Sequence, residues 1–81
     1  MIIVNQNKKV IINFNNINYI AIDDNKPLIF TRTNNNAEIT LGIYKTKKRA
    51  EEVLQEIVDT YKFNRCYAVG QKQAVYQMPE E

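Results

Sequence analysis

Over residues 9–44 apolar side chains recur at alternate positions in one segment after another, and over residues 50–61 they recur at steps of three and four. Alternation marks strands with one buried face, and the longer step marks an amphipathic helix. A chain that changes period once, strands first, is expected to be α+β. The expected form is an antiparallel meander of about five strands, packed by one amphipathic C-terminal helix and followed by a short β-hairpin.

The strand half divides at its turn residues. Residues 1–4 are a short apolar run, and Asn5, Gln6 and Asn7 supply turn chemistry. Val10, Ile12 and Phe14 share a face of the next segment, Asn15 and Asn16 make a tight turn, and residues 17–22 resume with β-branched side chains. Residues 23–27 form a loop in which Pro27 opens the strand at 28–33, where its missing N–H does least harm. Asn34, Asn35 and Asn36 signal a hairpin into residues 37–44. That strand puts Ile39, Leu41 and Ile43 on one face and Glu38, Thr40 and Tyr44 on the other. Gly42 inside it predicts a bulge or a close backbone approach.

In the helix, Ala50, Val53, Leu54, Ile57, Val58 and Tyr61 form the apolar stripe, with Tyr61 read as core. Thr46 is the natural N-cap, and the helix is expected to run to residue 61 or 62. Lys47 with Glu51 and Lys48 with Glu52 are spaced to pair along the exposed side. Residues 66–69 and 74–78 read as the two strands of the hairpin, with Cys66 a small buried residue on the first.

A chain of 81 residues is one domain over 1–81, and one this size buries only about 60–65% of its unfolded surface. Small folds compensate with disulfides, metals or self-association. Cys66 is the single cysteine and histidine is absent, so a homo-oligomer, dimer or higher, is the expected remedy and no metal or cofactor is expected. The lone cysteine fits a reducing compartment. No stretch approaches the ~18–20 apolar residues of a membrane span. A cytoplasmic protein with no membrane partner is therefore expected. The net charge of +2 is too mild to imply nucleic acid by itself.

Catalysis finds little to work with. The sequence has no His, no Ser and no glycine-rich phosphate loop. Asp23 and Asp24 fall in a turn and Glu51 and Glu52 on a solvated helix face, neither with the apolar surroundings that raise a carboxyl for acid catalysis. The chain is expected to be a binding protein without enzymatic activity.

Two features bear on what it binds. Lys45, Lys47, Lys48 and Arg49 crowd the start of the helix, where the dipole favours anions. Either these cations pair with Glu51, Glu52 and their neighbours, or they cradle a phosphate with the free N–H groups, with Arg32 joining if its strand ends nearby. Tyr44, next to the cluster, could stack a base while Lys47 or Arg49 holds phosphate. Tyr67 and Tyr76 flank the last turn and suit a subunit interface.

Residues 1–14 (Met1-Ile2-Ile3-Val4-Asn5 into Ile11-Ile12-Asn13-Phe14), residues 41–57 (Leu41-Gly42-Ile43-Tyr44-Lys45-Thr46, then Arg49-Ala50-Glu51-Glu52-Val53-Leu54) and the close Val75-Tyr76-Gln77-Met78-Pro79 together resemble small phage and prophage proteins of low-GC Gram-positive bacteria. That resemblance implies a counter-defence factor. One type is a sponge, similar to those that disarm Thoeris or CBASS immunity, which traps a nucleotide signal between protomers. The other is an anti-CRISPR-like inhibitor that covers a host defence protein by direct contact. A nucleic-acid-binding accessory protein is a further alternative.

Overall fold

The computed structural model describes residues 1–67 and 75–81. Its elements run β1 (Ile2–Val4), β2 (Ile11–Asn13), a 3₁₀ turn (Phe14–Asn16), β3 (Ile17–Ile22), β4 (Leu28–Thr33), β5 (Glu38–Ile43), α1 (Lys47–Tyr67) and β6 (Val75–Gln77). The class is α+β. The strands do not form one five-strand meander but two three-stranded sheets, ordered β2-β1-β6 and β3-β4-β5. The break comes after β2. The Asn13 side chain accepts the Asn15 N–H and winds Phe14–Asn16 into a 3₁₀ turn. A tight two-residue hairpin there would have kept β2 and β3 side by side.

The C-terminal expectation needs correction too. The helix lies between β5 and β6 and continues to Tyr67, so Cys66 is helical and not on a strand. Among the described residues β6 forms no hairpin and instead lies parallel to β1, with Ile3 opposite Tyr76. The expected turn at 70–73 and the remainder of its first strand fall outside the described residues. The described helix is not long and apolar enough to cross a membrane.

Local chemistry explains the turns. Asn5 is buried, and its Oδ1 accepts the N–H groups of Lys9 and Val10, both at 3.1 Å, fixing the β1–β2 connection around Lys8 at φ 65°. Asp23 Oδ1 accepts the N–H groups of Asn25 and Lys26, the turn role expected of an acid in that loop. Gln6 joins the sheets: its N–H donates to Leu41 O, and its carboxamide both donates to Ile43 O and accepts from Ile43 N, each at 2.9 Å. One edge of β5 is therefore covered by Gln6.

The alternation in β5 reverses partway along. Ile29 lies opposite Gly42 while Phe30 lies opposite Thr40, which leaves Leu41 as an extra residue in a bulge. Past that point inside and outside exchange. Ile43, expected inward, is 58% exposed, and Tyr44, expected outward, is 5% exposed. The Tyr44 ring lies over Gly42, where a Cβ would come within 2.8 Å of the phenol oxygen and 3.0 Å of Cε2. Both roles anticipated for this glycine, bulge and close approach, therefore hold.

The core joins Met1, Ile3 and Ile12 from one sheet, Ile29, Leu41 and Tyr44 from the other, and Ala50, Val53 and Ile57 from α1, with Met78 from the C-terminal segment. Burying Val53 and Ile57 stabilises by about 1.5–3 kcal/mol each. Thr31, fully buried on β4, satisfies its hydroxyl by donating to Tyr19 O at 2.8 Å. Because the Tyr44 ring is packed and hydrogen-bonded, Gly42→Ala should destabilise by about 1–3 kcal/mol in urea denaturation, as overpacked sites do. Combining it with Tyr44→Phe, which removes the closest atom, should cost less than the two single changes added together.

Candidate functional site

The start of α1 is capped as its sequence requires. Thr46 Oγ1 accepts the Arg49 N–H at 3.1 Å, and Thr46 O accepts from Ala50. The four cations around it have different fates. Lys47 Nζ donates to the Asp24 carbonyl. Arg49 lies at the centre of a network: Nε donates to Glu81 O at 3.0 Å, and Nη1 faces Glu52 at 3.4 Å and Glu56 at 3.5 Å. Lys45 and Lys48 are exposed. Lys45 and Arg49 line a cleft of about 530 Å³, but Glu80 and Glu81 line it as well. Of the positive charge that opposes the helix dipole, that on Arg49 is offset by the chain's own acids. Among the described residues, those acids pair through Arg49, and the expected pairs of Lys47 with Glu51 and Lys48 with Glu52 do not occur.

Arg32 does not join this group. It lies opposite Glu38 at the far end of the β4–β5 hairpin, whereas Ile43, which leads into the helix, lies opposite Leu28. Four residues of strand, about 13 Å, separate the two ends. There Arg32 donates to Tyr19 Oη at 3.0 Å, Asn36 O at 3.2 Å and Glu38 at 2.9 Å.

The tyrosines are redistributed as well. Tyr44 has no free face for a base, because the bulge turns it into the core, where its hydroxyl donates to Pro79 O at 2.9 Å. Tyr76 is half-buried against the core of its own chain and donates to Glu56 Oε1 at 2.8 Å, so it does not face outward as an interface anchor. Tyr67 ends α1, and its side chain is outside the described set. Burial pushes the Tyr44 phenol up to about 12, against the pull of Arg49. Burial, reinforced by the Glu56 hydrogen bond, raises Tyr76 still further.

A second concavity, lined by none of the site residues expected from the sequence, lies between β3 and α1. It is a cleft of about 260 Å³ walled by Phe14, Ile17 and Tyr19 on one side and Leu54, Val58 and Tyr61 on the other, with no charged side chain in its lining among the described residues. Phe14 and Tyr61 stack at its end, centroids 5.0 Å apart and planes 20° from parallel. Tyr61, expected in the core, is 37% exposed, and Val58 matches it. The signal was present in the stripe itself: at 100° per residue its six positions cover an arc of about 140°. The core takes up only Ala50, Val53 and Ile57 fully, leaving the Val58 and Tyr61 flank half open.

The chain matches no protein-family model, no curated protein and no solved structure.

The raised phenols fix a pH dependence. A group whose folded-state value is raised contributes stability that is complete below its unfolded value near 10 and is lost as pH climbs through the folded value. Stability should therefore fall from about pH 10 to about 12, with a shallower fall in Tyr44→Phe. Phenolate absorbance should show Tyr44 titrating together with unfolding.

Proposed function

We propose that this protein is a non-catalytic binding module that works by direct contact with another protein chain, docked along β3 at the apolar cleft beside α1. The observation that carries this proposal is the coincidence of an unprotected edge with an apolar groove. Among the described residues β3 pairs only with β4, and its sequence, Ile-Asn-Tyr-Ile-Ala-Ile, contains no charge and no proline. Edge strands are ordinarily guarded by such residues, because their unpaired N–H and C=O groups recruit further strands. A groove lying alongside an open edge suits strand addition. Main-chain bonds along the edge supply affinity, and alternate side chains of the added strand enter the groove.

Contact is favoured over nucleotide sequestration by the fate of the residues a phosphate would need. Arg49 is held by Glu52, Glu56 and Glu81, Lys47 by Asp24, and Tyr44 is buried. A phosphate in the cleft beside Lys45 would also meet Glu80 and Glu81. In the phage setting that the sequence resemblance implies, such a module would be a counter-defence inhibitor acting on a protein surface. The absence of His and Ser from the sequence supports the non-catalytic part.

Side-by-side capture from host lysate should separate the two surfaces. A partner chain retained stoichiometrically by tagged wild type and by Lys45→Glu/Lys48→Glu, an added untagged copy of this protein included, should be lost with Val58→Lys, whose added charge in the cleft should weaken binding about tenfold or more. Titration with cyclic dinucleotides, cyclic oligonucleotides and ADP-ribose derivatives should give no heat. Binding there that Lys45→Glu/Lys48→Glu abolishes would instead establish a nucleotide trap.

A further inference from the structure

We infer that the chain docked at this cleft is a second copy of the same protein, with β3 pairing antiparallel to β3 of its mate about a twofold axis. This rests on the strand-docking role of the cleft proposed above and names its occupant. A twofold interface brings a surface against itself, so any net charge at its centre repels its own image. Among the described residues the cleft lining has no charged side chain and meets that condition.

Just outside the lining the charges are complementary rather than absent. By helical spacing, Glu51 and Lys62 follow next round α1 on the Val58 side. They stand at opposite ends of the groove, eleven residues or about 16 Å apart. Both are exposed, and among the described residues neither is in an ion pair. An axis normal to the sheet sets the two helices antiparallel on one face and brings Glu51 of each copy towards Lys62 of the other.

The alternative edges are poorer. The edge of β5 is engaged by Gln6, and β2 and β6 are three residues each. The register of β3 shifts between Ile17 and Tyr19, which leaves Tyr19 to Ile22 regular and available for pairing. Pairing there would make one six-stranded sheet from two three-stranded ones. It would also cover Val58, Tyr61 and Ile20 with their counterparts, the surface that the wide helix stripe leaves open.

Sedimentation equilibrium on the full chain tests this. Wild type should run at twice its 9.5 kDa, and amide exchange over residues 19–22 should slow as concentration rises. Val58→Lys should run as a monomer with an unchanged circular dichroism spectrum, while Ile11→Lys, on an exposed apolar site in the other sheet, should remain a dimer. A dimer that survives Val58→Lys or dissociates with Ile11→Lys would place the interface elsewhere and overturn the proposal. A wild-type monomer overturns it too, and a peptide of residues 17–22 with charged flanks then decides what survives. Binding of that peptide to wild type but not to Val58→Lys would keep the cleft as a strand acceptor for a foreign chain. No binding would remove the cleft's docking role as well.

Discussion

The extra residue in β5 turns Tyr44 inward, and much of the tertiary arrangement follows from that one reversal. The buried ring closes over Gly42 and sends its hydroxyl to Pro79 O, which holds the C-terminal segment against the start of the helix. With Pro79 held there, Met78 enters the core and its N–H reaches Val4 O, so β6 lies along β1. Arg49 then meets Glu81 O on one side and Glu56 on the other, and Glu56 receives Tyr76. A tyrosine facing outward at 44 would leave this segment without that anchor and β6 with less reason to join the sheet.

Gln6 does the complementary work from the other sheet. Its carboxamide imitates a strand residue towards Ile43 and also donates to the carbonyls of Pro79 and Glu80. Two three-residue strands and a parallel third make a weak sheet alone, since short strands bury little and each adds few ladder bonds. Tying that sheet to β5 through a side chain, rather than through a continuous strand, lets the two sheets share one core while remaining separate hydrogen-bonded units. It also blocks the edge of β5, so the asymmetry between a guarded β5 and an open β3 has a specific molecular cause.

Much of this is legible in the residues, and what is not has identifiable reasons. The helix start can be read from Thr46 because capping is local, and the Asp23 turn for the same reason. The strands at 17–22 and 28–33 carry their own alternation, and their bounds match the structure. The face of Tyr44 is not legible, because a bulge shifts parity without altering the pattern before it, and Gly42 marks only that something happens there. The parallel partnership of β6 with β1 joins residues more than seventy apart, beyond any periodicity. The cation cluster is easy to see and misleading by itself, since the acids that answer it come from two turns along the helix and from the far end of the chain.

That last point bears on which surface does the work. A charge cluster in sequence shows only which groups are near one another along the chain, whereas availability depends on what the fold brings against them. Here the fold brings Glu52, Glu56 and the Glu81 carbonyl to Arg49 and the Asp24 carbonyl to Lys47, and leaves Lys45 and Lys48 in solvent. Apolar surface has no such internal remedy: a half-exposed valine or tyrosine is relieved only by more apolar surface. The three-stranded sheet under α1 is too narrow to cover the whole stripe, so Val58 and Tyr61 keep part of their surface in water beside an edge whose peptide groups, among the described residues, are also unpaired. Two unmet demands of different kinds, one for apolar cover and one for backbone partners, coincide along β3. An extended chain laid against that edge satisfies both at once, which a small anion at the helix start cannot do.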